Sequence, residues 1–242
     1  MDLTLGVLGG MGPQAGIDFV AKLIAATPVQ SEQDHIRVLL DSNPKVPDRN
    51  RAIRAMIENG RSDADGPGPV LARMAKGLQD AGADFLAMAC NTAHAFAPDI
   101  RAAVTIPLVS IIDEAVVEAA RAAPARVGLL AADGCIQAAL YQTALTRCGM
   151  EPLTLTPDRQ AAFMDLLYRI KLGDLSGTAR GQMAALARDL EDRGAGMIIA
   201  GCTEVPLVLD PASVAVPVLD STTHLAERCV LYATRALPLP RI

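Results

Sequence analysis

The chain of 242 residues has no tryptophan, only three histidines and no excess of basic charge. Its formal net charge of −5 offers no broad basic surface, which argues against nucleic acid as a partner. An acidic total still leaves room for an anionic substrate, because pocket charge is local. The first residues, MDLTLGVLGG, carry neither a basic segment nor an apolar stretch ending in a cleavage site. No apolar run approaches the roughly eighteen residues needed to span a bilayer, so no membrane association is expected. Five cysteines, an odd number without framework spacing, argue against a disulfide scaffold. A cytoplasmic protein with reduced thiols is the expectation.

What is present is 51% hydrophobic residues, rich in small aliphatics, enough for one large domain or two lobes. Short apolar runs at Leu3–Leu8, Ile36–Leu40, Phe85–Ala89, Pro107–Ile111, Val127–Ala131, Met197–Ala200 and Val216–Leu219 read as strands. Between them Val70–Ala81, Asp113–Ala123, Cys135–Cys148 and Thr178–Arg193 repeat apolar residues at helical spacing. The βαβα rhythm implies an α/β fold with parallel sheets covered by helices. Asn59–Pro69, rich in Gly, Pro and Asp, reads as a mobile surface loop without regular structure.

The chain also repeats itself. Gly82-Ala83-Asp84-Phe85-Leu86-Ala87-Met88-Ala89-Cys90 aligns without gaps on Gly194-Ala195-Gly196-Met197-Ile198-Ile199-Ala200-Gly201-Cys202. Upstream, Leu5-Gly6-Val7-Leu8-Gly9 matches Val127-Gly128-Leu129-Leu130-Ala131. One α/β unit used twice accounts for both matches, with lobes at 1–108 and at 109–217. Ligands of open α/β sheets bind beyond the carboxyl ends of the strands, so Cys90 and Cys202 are expected to face each other across a cleft.

Two opposed thiols suit proton removal from the Cα of an amino acid and its return on the other face. One serves as thiolate and the other as thiol, and the roles exchange in the reverse reaction. A Cys between a strand and a helix start is expected to have a lowered pKa, with Asn91-Thr92 and Thr203-Glu204 supplying cap chemistry. The same backbone donors suit a substrate carboxylate. Buried core cysteine is the competing reading, and Cys135, Cys148 and Cys229 are left to it.

Gly9-Gly10-Met11-Gly12-Pro13 closes the first strand and permits close backbone approach to an anion, so Met11 and Gly12 are candidate substrate contacts. The same glycines, with Asp41, loosely satisfy a dinucleotide fingerprint, which keeps a nicotinamide enzyme open. Cys90 and His94, four apart, admit a metal pair or Cys–His nucleophile, although no further ligand cluster is evident and no metal is expected. His94 is read as a hydrogen-bonding or packing residue. Arg49 falls in a loop after the second strand, and Lys171 near a helix end.

Leu8-Gly9-Gly10-Met11-Gly12-Pro13, Pro47-Asp48-Arg49, Cys90-Asn91-Thr92-Ala93-His94 and Gly201-Cys202-Thr203-Glu204-Val205-Pro206 together resemble the aspartate racemase family of the aspartate/glutamate racemase superfamily. The resemblance implies racemisation without pyridoxal phosphate or any other cofactor, two pseudo-symmetric lobes with the site between them, and a homodimer. It also implies that the last helix, after Asp220, returns to the first lobe, so that 218–242 rejoin 1–108. By the same resemblance Arg49 and Lys171 help hold an acidic substrate, while Met11, Gly12, Asn91, Thr92, Thr203 and Glu204 line the substrate site. Ala89 departs from the Pro found in many relatives. Glutamate racemases carry a different glycine motif and a His where Glu204 stands, which favours aspartate. A superfamily isomerase of an unsaturated diacid, a broad-specificity or glutamate racemase, and a non-catalytic dicarboxylate-binding module are the alternatives.

Overall fold

The computed structural model describes residues 2–60 and 65–240. In chain order the elements are β1 (Leu5–Gly9), α1 (Pro13–Ala26), β2 (Val38–Ser42), α2 (Arg49–Asn59), α3 (Pro67–Asp80), β3 (Phe85–Met88), α4 (Ala97–Ala103) and β4 (Leu108–Val109). They continue with α5 (Ile111–Ala122), β5 (Arg126–Ala131), α6 (Asp133–Gln137), α7 (Leu140–Arg147), β6 (Glu151–Thr154), α8 (Pro157–Lys171) and α9 (Gly177–Asp192). The last are β7 (Met197–Gly201), β8 (Val218–Asp220) and α10 (Ser221–Ala233). The chain divides into two compact units, one running through Ile111 and resuming at Thr222, the other Ile112–Ser221.

Each unit carries a four-stranded, all-parallel sheet, ordered β2-β1-β3-β4 in the first and β6-β5-β7-β8 in the second. The central strands are continuous apolar runs because parallel strands are covered on both faces; β1, β3 and β7 are buried throughout. The shared topology extends to side chains. A Cβ at Gly6 of β1 would come within 2.9 Å of Ala83 and 3.2 Å of Leu78; at Gly128 of β5 it would meet Ala195 at 3.2 Å and Leu190 at 3.1 Å. Leu190 and Ala195 stand 112 residues beyond Leu78 and Ala83, the same step that separates Cys202 from Cys90. Each unit thus seats a helix end against a strand glycine in the same way.

Local signals explain most boundaries. Pro13 and Pro67 open α1 and α3, where a missing N–H is harmless. Asp48 caps α2 by accepting the Arg51 N–H at 2.8 Å, and Ser176 caps α9 by accepting that of Ala179 at 3.2 Å. Gly60 ends α2 in the left-handed region, φ 65°. In the first unit Leu3 donates its N–H to the Ala233 carbonyl at the end of α10, 2.9 Å away. No helix among the described residues is long and apolar enough to cross a membrane.

Several sequence expectations need correction. The single helix expected over Cys135–Cys148 is two, α6 and α7, parted where Ala139 takes φ 50°. Strand β6 was not expected; it is a four-residue edge strand, where Pro152 is tolerated because one side of the ladder is empty. Pro67–Pro69, expected in a loop, form the first turn of α3, while residues 61–64 of that loop lie outside the described residues. Arg49 is not a loop charge but the first residue of α2.

Candidate active site

In each sheet the chain leaves the first strand to one side and returns to the third on the other, so the order reverses between β1 and β3 and between β5 and β7. The carboxyl ends of the strands at such a reversal are the usual ligand position in open α/β sheets. Cys90 follows β3 and Cys202 follows β7. Both sulfur-bearing residues are nearly closed off, at 6% and 7% exposure.

In the first unit the β1–α1 loop follows the carboxyl end of β1 at this reversal. Gly10, φ 88°, could not carry a side chain, since its Cβ would fall 2.3 Å from the Asn43 backbone nitrogen. The Arg49 guanidinium donates from Nη1 to the carbonyls of Val46 (3.0 Å) and Pro47 (2.9 Å) and from Nη2 to that of Met11 (3.3 Å). It therefore clasps the Met11–Gly12 loop to the turn before α2. Cys90 is held from behind by His94. The ring Nε2 accepts the Ile111 N–H at 3.2 Å, which leaves Nδ1 as the protonated nitrogen, 2.9 Å from the Cys90 carbonyl. That geometry engages both ring nitrogens with backbone, a hydrogen-bonding and packing role for His94. No group of three or more His, Cys, Asp or Glu placed to hold a metal ion occurs among the described residues.

In the second unit Cys202 joins the buried cluster that includes Leu130, Phe163, Leu167 and Val205. Its thiol donates to Glu204 Oε2, 3.0 Å away, which also accepts from Thr203 Oγ1 at 3.2 Å. The other carboxylate oxygen pairs with Lys171 Nζ at 2.6 Å, reaching in from the end of α8. Glu204 itself is 3% exposed, so the carboxylate is withdrawn from water, while the Lys171 side chain keeps 30% of its surface exposed. Behind the strand end, the Tyr141 ring packs so closely on Gly201 that a Cβ there would approach Cε2 to 2.9 Å. Ser221 Oγ donates to the Ala200 carbonyl at 2.7 Å, near the carboxyl end of β7.

The electrostatics reverse one expectation. Burial, reinforced by the Glu204 carboxylate, pushes the Cys202 thiol well above the ordinary cysteine range, and Lys171 opposes this only in part. Burial also raises the Tyr141 phenol, with Cys135, Cys202 and Asp220 nearby adding to it and a Ser221 hydrogen bond opposing. Each Cys leads into a short 3₁₀ turn, Thr92–Phe96 or Val205–Leu207, with little dipole to offer, and at Cys202 the expected lowering by a helix start fails. Nor do Asn91 and Glu204, at the cap positions of those turns, make a side-chain cap hydrogen bond.

Of the candidate residues, the first unit contains Met11, Gly12, Arg49, Cys90, Asn91 and Thr92, and the second Lys171, Cys202, Thr203 and Glu204. Sequence reasoning missed Tyr141 and Ser221. Nothing in their local sequence marks them, since each acts through a strand distant in the chain. Among the remaining cysteines, Cys135 and Cys229 are buried as expected, whereas Cys148, expected in the core, is exposed at the end of α7.

Known proteins share the sequence pattern and the fold of this chain. The sequence profile of the family described as Asp/Glu/Hydantoin racemase matches residues 8–229. The broad specificity amino-acid racemase RacX of Bacillus subtilis is 28% identical over 93% of this chain and 96% of its own. The structure of Picrophilus torridus aspartate racemase superposes with a TM-score of 0.82 at 27% identity, covering 96% of this chain and 94% of that one. Glutamate racemase of Francisella tularensis, at 19% identity and a TM-score of 0.68 over all of this chain and 85% of that one, shares the fold.

Proposed function

The chain belongs to the Asp/Glu/hydantoin racemase family, and from that premise we propose that it interconverts the enantiomers of aspartate by moving the Cα proton between Cys90 and Cys202. Its work is that of an amino-acid racemase of the cofactor-independent superfamily. The observation that carries the two-base reading is the duplicated position of the cysteines: each is buried and directly beyond the third strand of a sheet with the same strand order. One thiolate takes the proton, the electron pair passes into the substrate carboxylate, and the other thiol returns a proton to the opposite face. Backbone N–H groups around Asn91, Thr92 and Thr203, and the Met11–Gly12 loop, are the proposed cradle for the carboxylate as its charge grows.

Aspartate rests on the family resemblance, on the Picrophilus neighbour and on the cations Arg49 and Lys171. A broader amino-acid specificity is the second reading, favoured by a particular observation: Lys171 is paired with Glu204, and Arg49 is committed to three main-chain carbonyls. Cations already engaged by the protein demand a second substrate carboxylate less strictly. The similarity to RacX points the same way. We further propose a cytoplasmic homodimer, which light scattering of the purified protein tests.

The deciding experiment is incubation with L-aspartate in deuterated water under reducing conditions, without pyridoxal phosphate. Cα deuteration together with D-aspartate supports the proposal. Turnover of neutral amino acids at similar kcat/KM establishes the broader specificity, and absence of exchange with every amino acid tested refutes racemisation.

A further inference from the structure

A two-base reaction needs one thiol to hold its proton until the Cα carbanion calls for it, and the surroundings of Cys202 are built for that. Its sulfur lies 3.0 Å from Glu204 Oε2, Lys171 Nζ lies 2.6 Å from Oε1, and Thr203 Oγ1 lies 3.2 Å from Oε2. An anionic side chain here is a poor contact for an acidic substrate, which it would repel, but a good acceptor for an S–H. We propose that Glu204 is a positioning residue for Cys202: its carboxylate, aimed by Lys171 and Thr203, accepts the thiol hydrogen so that the free enzyme rests with Cys202 protonated.

The groups near this thiol from other elements of the unit agree with that state. Tyr141 of α7 lies within electrostatic reach and is itself a buried neutral phenol beside Asp220 at the end of β8. Lys171 is the cation of the set, and its charge is taken up by Glu204. When Cys202 donates, its S–H bond breaks, the carbanion electron pair forms the new C–H bond, and a thiolate is left beside the Glu204 carboxylate. That repulsion drives recovery of a proton from solvent or from a substrate of the opposite hand. The two protonation forms of the free enzyme are therefore unequally populated. Enantiomers have equal free energy in water, so kcat/KM must match in the two directions. The imbalance appears instead as a larger KM, with a proportionally larger kcat, for the enantiomer that binds the minor form.

This inference rests on the two-base reading, but its test does not require turnover. The pH profile of Cys202 alkylation by iodoacetamide, read by peptide mass spectrometry on the intact chain and on Glu204→Gln, reports the thiol directly. The midpoint in Glu204→Gln is expected to fall by at least about one pH unit, equivalent to roughly tenfold more thiolate below the midpoint. Glu204→Asp, which keeps the charge, recovers part of the difference. Should Glu204→Gln fail to fold, Lys171→Gln replaces it with the opposite sign, a raised midpoint. An unchanged midpoint in the variant used, or one displaced the other way, overturns the assignment of Glu204. A displaced midpoint in a protein that catalyses no Cα exchange would leave the Glu204 assignment standing and remove the racemase reading.

Discussion

A protonated thiol buried beside a carboxylate makes the fold sensitive to alkali, and the size of the effect follows from the surroundings of Cys202. Unfolded, a cysteine ionises near about pH 8.5 and a tyrosine near about 10. In the folded chain burial and Glu204 hold Cys202 well above its ordinary range, and burial does the same for Tyr141. Because the folded state keeps the proton longer, the stabilisation is complete below the unfolded value and is lost as pH rises toward the folded one. The loss amounts to about 1.4 kcal/mol per pH unit per group, so Cys202 alone removes about 2 kcal/mol between neutrality and pH 10. Against a total of roughly 5–15 kcal/mol, that is readily measured. Urea unfolding across this range, under reducing conditions, is the assay. Cys202→Ala should be less stable at neutral pH, yet its stability should fall less steeply, by about 2 kcal/mol at pH 10. Tyr141→Phe should follow the parent until near pH 10 and flatten only beyond it. Parallel loss in the parent and Cys202→Ala would refute the buried, protonated thiol.

Other consequences follow from named contacts. Gly201→Ala drives a Cβ toward the Tyr141 ring and should destabilise by about 1–3 kcal/mol while lowering kcat, with partial recovery in Gly201→Ala/Tyr141→Leu; additive effects in that cycle would remove the contact from the explanation. Arg49→Met loses three charge-assisted bonds to main-chain carbonyls and should cost about 2–3 kcal/mol in urea unfolding, with an activity loss that Arg49→Lys restores only in part. Lys171→Gln separates the two specificity readings: a KM for aspartate raised tenfold or more with neutral substrates unchanged marks a substrate contact. An equal loss with all substrates marks support of Glu204 alone.

How far the sequence revealed this molecule depended on where the determining contacts lie. Strands such as Phe85–Met88 and Met197–Gly201 are legible because complete burial demands unbroken apolar residues, and the duplicated Gly-Ala…Cys stretch exposed the repeat. Strand β6 was hidden by Glu151 and Pro152, residues an edge position accepts and a central one rejects. The α6–α7 break falls at Ala138-Ala139, without the Gly or Pro that usually marks an interruption. At the site, the sequence picked out Cys202, Glu204 and Lys171 individually, but 33 residues separate Lys171 from Glu204, and no local pattern shows that the carboxylate joins the ammonium to the thiol. The expected acidic thiol failed for the same reason. It was argued from the backbone after the strand, whereas burial and a neighbouring carboxylate set the outcome.

The central claim is that both cysteines move the proton, and it is tested most directly by Cys90→Ser and Cys202→Ser assayed with each enantiomer in deuterated water. The account predicts that both variants keep the parent's far-ultraviolet circular dichroism and lose racemisation in both directions by at least about three orders of magnitude, as expected when a required acid or base is removed. Racemisation at the parent rate by either variant, in both directions, would contradict it.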